Sequence, residues 1–202
     1  MGRAPGQIDV SKNEAILDAA IAVMSERGWG APLDEIARRA GVSKQTIYNH
    51  YGSKAELARA MSERRSHEVA EVLDAPGALE RPEQALAAFA RILLNAVLNA
   101  RGMALYRMAM LATATMPEVA HAIYEAGPKT SRRRLADYLR LENAAGRLDC
   151  PDPLEAAEFF GGMVLGRYQT QALLGEKPEL TEAEIERVAQ EATHRFMRAY
   201  AP

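Results

Sequence analysis

Apolar residues recur three and four positions apart along nearly the whole chain, and glycine and proline punctuate the pattern. Ser11-Lys-Asn-Glu14 places serine and glutamate at capping-box spacing, and Ile16, Leu17, Ala20, Ile21 and Met24 then form one stripe that stops at Gly28. This predicts a first helix at about 12–27 with Ser11 as its cap. Pro32 and Asp34 suit the first turn of a short second helix, whose face is Leu33, Ile36, Ala37 and Ala40 and whose end is Gly41. Ser43 can cap a third helix that buries Ile47 and Tyr51 and closes at Gly52. A second capping box, Ser53-Lys-Ala-Glu56, opens a longer helix to about Asp74.

Beyond Pro76 the spacing continues at about 82–99 and through a Met-rich stretch, Gly102 to Thr115. Pro117 and Pro128 each sit where a helix can begin, which predicts pieces near 117–126 and 128–145. A loop from Gly146 to Pro153 precedes a long helix at about 153–174, and Thr181-Glu-Ala-Glu184 opens the last one, to about Tyr200. The pattern is all-α, with about nine helices. It divides into a small head, residues 1–56, linked through the helix at about 53–74 to a larger body, residues 57–202.

Composition agrees with helix, since β-branched runs are scarce among the 202 residues. No apolar stretch is long enough for a signal peptide or membrane span, and Gly6 stands where a myristoylation site wants Ser or Thr. The lone Cys150 excludes an internal disulfide framework and fits the cytoplasm, where a neutral bystander thiol is expected. The net charge of −2 hides a split: residues 1–65 carry 10 Lys/Arg against 8 Asp/Glu, and the remainder 15 against 19. The weakly basic front end permits nucleic-acid binding without requiring it.

The second and third helices, joined by Ala40-Gly-Val, have helix-turn-helix spacing. In that motif the second helix enters the DNA major groove. Val42, Ile47 and Tyr51 would pin it, leaving Lys44, Gln45, Tyr48 and Asn49 outward. Gln and Asn can pair with adenine, and Lys suits guanine or phosphate. The hydroxyls of Thr46 and Tyr48 suit phosphate oxygens, and Lys54 beside the free N–H groups of the fourth helix makes a second anion site. A short polar helix between two glycines also suits a plain connector, so the pattern alone leaves both readings open.

The run ILDAAIAVMSERGWGAPLDEIARRAGVSKQTIYNHYGSKAELARA, about residues 12–60, resembles the N-terminal domain of the TetR family of transcriptional repressors. The matching features are a helix, ERG, a short helix ending in AGVS, a Tyr-x-His-aromatic ending and S-K-x-x-L. The resemblance implies phosphate contacts for Thr46, Tyr48 and Lys54, and base-reaching positions for Lys44, Gln45 and Asn49. His50 matches the pattern too, and half-buried packing is expected of it. One departure is Ala31-Pro32, where the family usually carries a Thr or Ser that caps the second helix and touches a phosphate. Losing a cap costs about 1 kcal/mol, which the pre-set proline partly offsets.

The resemblance also implies a body that dimerises and binds a small effector, a partner set of palindromic double-stranded DNA, a second copy and a small molecule. The stretch LYRMAMLATATMPEVAHAIYEAGP is similar to one TetR subgroup whose effectors are largely unassigned. Interface candidates are Phe159, Gly162, Val164, Gly166 and Phe196, with the two glycines permitting close helix approach. Met103, Tyr106, Met110, Tyr124, Phe160, Met163 and Tyr168 could line an apolar pocket, with Arg107, His121, Arg167 and Gln171 orienting a polar group. Each of these helical apolar positions equally suits plain core.

Two alternatives stand beside the regulator. Glu118-Val-Ala-His121 and Glu191-Ala-Thr-His194 are both E-x-x-H, the motif of di-iron helical enzymes, which also need an inward glutamate from each of two further helices. A regulator acting constitutively, without an effector, fits the same head. The chain carries no P-loop, dinucleotide fingerprint, G-x-S-x-G or zinc-type cysteine spacing, so neither enzyme activity nor a cofactor is expected.

Overall fold

The computed structural model describes residues 9–176, 178 and 180–202; the N-terminal stretch weighed for targeting lies outside them. The fold is all-α, with no strand among the described residues. The helices are α1 (Val10–Arg27), α2 (Leu33–Ala40), α3 (Lys44–Tyr51), α4 (Lys54–Ala70), α5 (Pro82–Leu98), α6 (Ala100–Thr115), α7 (Pro117–Tyr124), α8 (Thr130–Ala144), α9 (Pro153–Leu173) and α10 (Glu182–Ala199). They form two compact units, Met1–Glu63 with Ala100–Ala126, and Arg64–Asn99 with Gly127–Pro202. The N-terminal unit therefore contains α6 and α7 as well as the three head helices.

Local chemistry sets most helix ends. Ser43, Ser53 and Thr181 accept from the backbone N–H of Thr46, Glu56 and Glu184 at 3.0, 3.1 and 3.2 Å. At α1 the cap is Asp9 rather than Ser11: the Asp9 carboxylate accepts from Ser11 N at 3.1 Å and Ser11 Oγ at 2.9 Å. A carboxylate two residues earlier caps at least as well as the serine and gains a further half-turn of helix. Residues 125–129 form a π-helical turn with Pro128 inside it, where the proline spacing predicted a break. The π turn accommodates the missing proline N–H without ending the helical path.

The core of the N-terminal unit is built from Ile16, Ala20 and Met24 of α1, Ile36 of α2, Ile47 of α3, Leu57 and Met61 of α4, and Leu105, Met108 and Val119 of α6 and α7. Buried side-chain bonds cross it. The Trp29 indole N–H donates to the Met108 carbonyl at 2.9 Å, and the Ser62 hydroxyl donates to the Ile123 carbonyl at 2.9 Å. Arg101 adds an ion pair to Asp18 at 3.4 Å.

In the C-terminal unit α5, α9 and α10 meet around an aromatic trio. Phe160 stacks edge-on to Phe196 at 5.0 Å and lies 6.3 Å from Phe89, and all three rings are buried. Tyr138 of α8 donates to the Ala78 carbonyl at 2.8 Å, and the buried Glu142 carboxylate is held by Arg147 Nε at 2.6 Å. Cys150 is buried in this core, and burial pushes its thiol up to about 11, which leaves it protonated and unreactive near neutral pH.

The α9–α10 contact carries an ionic clamp. Arg187 donates twice to Glu184, at 2.9 and 2.8 Å, and the Tyr168 hydroxyl donates to the same carboxylate at 2.6 Å. The bonds from Arg187 and then Tyr168 hold the Glu184 carboxyl down at about 2, from an ordinary 4.5. A depressed folded-state value stabilises the fold above the unfolded value and loses that stabilisation as pH falls through the folded one. The melting-temperature gap between the wild type and Glu184→Gln is therefore expected to be full above pH 4.5 and to close as pH falls toward about 2. Thermal melts of both proteins across that range check it, and a gap independent of pH would refute the clamp.

Candidate nucleic-acid interface

The reading platform is made by a tight turn between two helices of eight residues each. Gly41 sits in the left-handed region (φ 66°, ψ 29°), a conformation that costs glycine nothing, and Val42 N bonds back to the Ala37 carbonyl at 3.0 Å. The chain then reverses at Ser43, whose hydroxyl caps α3 and lies 2.8 Å from the Thr46 hydroxyl. Ile47 and Tyr51 are buried, as their spacing predicts, and the Tyr51 hydroxyl donates to Asn13 Oδ1 of α1 at 2.6 Å. α3 is thus fixed by one face and one tether. At α2 the expected missing cap is observed: Pro32 makes no side-chain bond, while Ala31 beside it is buried.

The opposite face of α3 carries the polar tips. Ser43, Lys44, Gln45, Asn49 and His50 are exposed, Thr46 is half-buried, and Tyr48 is 46% exposed. His50 departs from the half-buried packing expected of it. Its ring lies edge-on to Tyr51 at 4.6 Å, and only the Tyr51 side reaches the core.

These tips are paired with neighbours. Gln45 Nε2 donates to Asn49 Oδ1 at 2.6 Å, the i,i+4 spacing of one helix face. The Lys44 ammonium donates to Asp34 Oδ2 at 2.8 Å, and this bond raises the lysine pKa. Lys54, half-buried at the start of α4, donates to the Trp29 carbonyl at 2.5 Å. The exposed pairs among these are screened by solvent and can exchange for another partner. Arg39 is committed elsewhere, with two bonds to Glu26 at 3.0 and 2.7 Å, and Arg27 pairs with Glu35 at 2.9 Å.

Two partnerships around this surface are not legible in the sequence. Asp34 lies ten positions before Lys44 across a turn, and Trp29 touches Met108 across 79 positions. No short-range pattern announces either partnership.

The other candidates divide between the two units. Met103 is buried in the N-terminal unit and Tyr106 is half-buried, whereas Arg107 and His121 are exposed and Met110 and Tyr124 are 57% and 47% exposed. In the C-terminal unit Phe160 belongs to the aromatic trio, Tyr168 bonds Glu184, Arg167 lies over the Tyr168 ring at 5.1 Å, Gln171 is half-buried and Met163 is exposed. Of the interface candidates, Phe159 and Gly162 are exposed on α9. Val164 and Phe196 are not available to a partner copy, because both are fully buried in their own unit's core. Gly166 also differs from expectation: it takes φ 42°, ψ −131° and breaks the geometry of α9, and among the described residues nothing beyond its chain neighbours and its own helix backbone lies within 4 Å of where its Cβ would stand. Both E-x-x-H pairs face outward, and Glu191 is bound by Arg195 at 2.7 Å. No three His, Cys, Asp or Glu side chains cluster as metal ligands among the described residues.

Comparison with known proteins agrees with this geometry. Residues 16–61 match the model of bacterial regulatory proteins of the tetR family, and residues 84–202 match the C-terminal domain of AefR-like transcriptional repressors. The chain is 31% identical to the flavonoid-responsive regulator FrrA, covering 95% of this chain and 97% of that one with a TM-score of 0.72. It is 26% identical to a TetR family regulator from Pseudomonas syringae pv. tomato, covering 96% and 98% with a TM-score of 0.67. Over 50 residues it is 50% identical to the transcriptional activator FasR of Mycolicibacterium smegmatis, a match spanning 24% of this chain and 23% of that protein.

The Ser43 cap makes a local prediction. Ser43→Ala is expected to destabilise the chain by about 1 kcal/mol, and Ser43→Gly by only a few tenths. Urea unfolding of the two variants checks it; equal losses would mean that the hydroxyl caps nothing.

Proposed function

Because the chain belongs to the TetR family and is a DNA-binding transcriptional regulator, we propose that it acts as a repressor: a homodimer that binds a palindromic operator and is released by a small, largely apolar effector. The observation that carries the reading is α3 itself, pinned by Ile47 and Tyr51 with Lys44, Gln45, Tyr48 and Asn49 turned outward. In this reading residues 1–56 read DNA and residues 57–202 dimerise and sense the effector, in the cytoplasm.

Roles within the head follow from chemistry. Gln45 and Asn49 exchange their mutual amide bond for the N6 and N7 edge of adenine. Ser43, Thr46, Tyr48, His50 and Lys54 donate to phosphate oxygens, which fixes register without reading sequence. A head of this size covers few base pairs, so two copies on a palindrome supply the affinity that one lacks. Phe159 and Met163 support the dimer, since they leave apolar area uncovered on successive turns of α9, at 55% and 42% exposure.

Repression rather than activation is supported by the AefR-like match over the body, although the head also resembles the activator FasR. An aromatic effector is supported by the full-length likeness to the flavonoid-responsive FrrA and by the Met and Tyr side chains of α6 and α7. The effector can release DNA only by binding one arrangement of the heads more tightly than the other.

Selection of the purified protein on a random duplex library tests the DNA reading, with a palindromic site expected to enrich. On that site Tyr48→Phe is expected to weaken binding to every sequence alike, whereas Gln45→Ala relaxes preference at one symmetry-related position. Uniform weakening by Gln45→Ala would remove it from the base contacts, and no enrichment by the folded wild type would overturn the DNA reading.

A further inference from the structure

Lys44 is the first residue of α3, where the helix dipole presents its positive end. A cation is disfavoured at that place, and the structure sets a carboxylate against it. Asp34, the second residue of α2, accepts from the Lys44 ammonium at 2.8 Å. The pair lies on the surface, with the two side chains 47% and 64% exposed, beside the other outward tips of α3.

A free lysine at this position would add one cation to every DNA encounter, because phosphates capture positive charge regardless of sequence. Paired with Asp34, it adds none. To reach a phosphate it must leave its partner, and it then leaves an uncompensated carboxylate close to the polyanion. A base edge makes a different demand. An ammonium has three donors, so it can donate to a guanine O6 or N7, both uncharged, while still donating to Asp34.

Resting on the DNA-reading function above, we propose that Asp34 is a specificity-determining residue: by holding Lys44 in a neutral pair, it suppresses capture by arbitrary phosphate backbone and reserves the ammonium for the operator. Asp34 acts through Lys44 and need not itself touch DNA.

The test compares the full chain on two duplexes, one carrying the site selected from the random library and one scrambled, by fluorescence anisotropy over a salt series. Asp34→Asn is expected to tighten binding to the scrambled duplex by about three- to tenfold and to steepen its log affinity against log salt slope by about one. Binding to the selected site gains less, so the ratio of the two affinities falls. Asp34→Glu, which keeps a carboxylate, is expected to retain most of the wild-type ratio. In a Lys44→Ala background the Asp34→Asn change is expected to lose its effect, which isolates the coupling between the two residues.

An equal gain on both duplexes, or the same gain without Lys44, would overturn the proposal by reducing Asp34 to a simple repulsive charge. No change at all would make the pair a bystander. Failure of the wild type to prefer any site is a separate result: it would strike the DNA reading itself, and this inference with it.

Discussion

A helix of eight residues that buries two side chains cannot hold its own shape in water. α3 exists because Ile47 and Tyr51 are locked into a core supplied by other helices, and because the Ser43 hydroxyl satisfies the Thr46 N–H of its first turn. Everything attributed to the polar face depends on that borrowed rigidity. An amide or ammonium can discriminate one base from another only if its root is held to within a fraction of an ångström, and a freely hinged helix would surrender that discrimination to entropy.

The core that lends the rigidity is not confined to the first three helices. Leu105, Met108, Val119 and Ile123, more than fifty positions downstream of α3, pack into it. Burying these side chains and completing the Trp29 and Ser62 bonds to backbone carbonyls make α6 and α7 part of the structure that positions α3. The stretch rich in Met and Tyr and α3 thus belong to one packed unit.

Much of this was legible in the residues. Ser43 and Gly41 act within one turn of their own positions, and Ile47 and Tyr51 share one helix face at i,i+4 spacing, so local pattern exposes all four. The same holds for the caps at Ser53 and Thr181. Ser11 misled because Asp9, just outside the apolar stripe, starts the helix earlier and accepts from the N–H of Ser11 itself. Pro128 misled because a π turn can carry a proline that an α turn cannot. Val164 and Phe196 looked like interface residues because an apolar position on a helix does not announce which neighbour will cover it; here the protomer covers both. His50 erred the other way, since its neighbour Tyr51 takes the one buried place at that end of α3. Partners distant in sequence, Asp34 with Lys44 and Trp29 with Met108, are set by how helices meet and leave no trace in local pattern.

Trp29 is the chain's single tryptophan. Its indole is buried and donates to α6, and its carbonyl receives Lys54. Indole emission depends on the polarity and hydrogen bonding around the ring, and no second tryptophan dilutes the signal. The protein therefore carries an intrinsic optical gauge at the joint between α6 and the start of α4, so any rearrangement of that joint registers as a change of colour without a label.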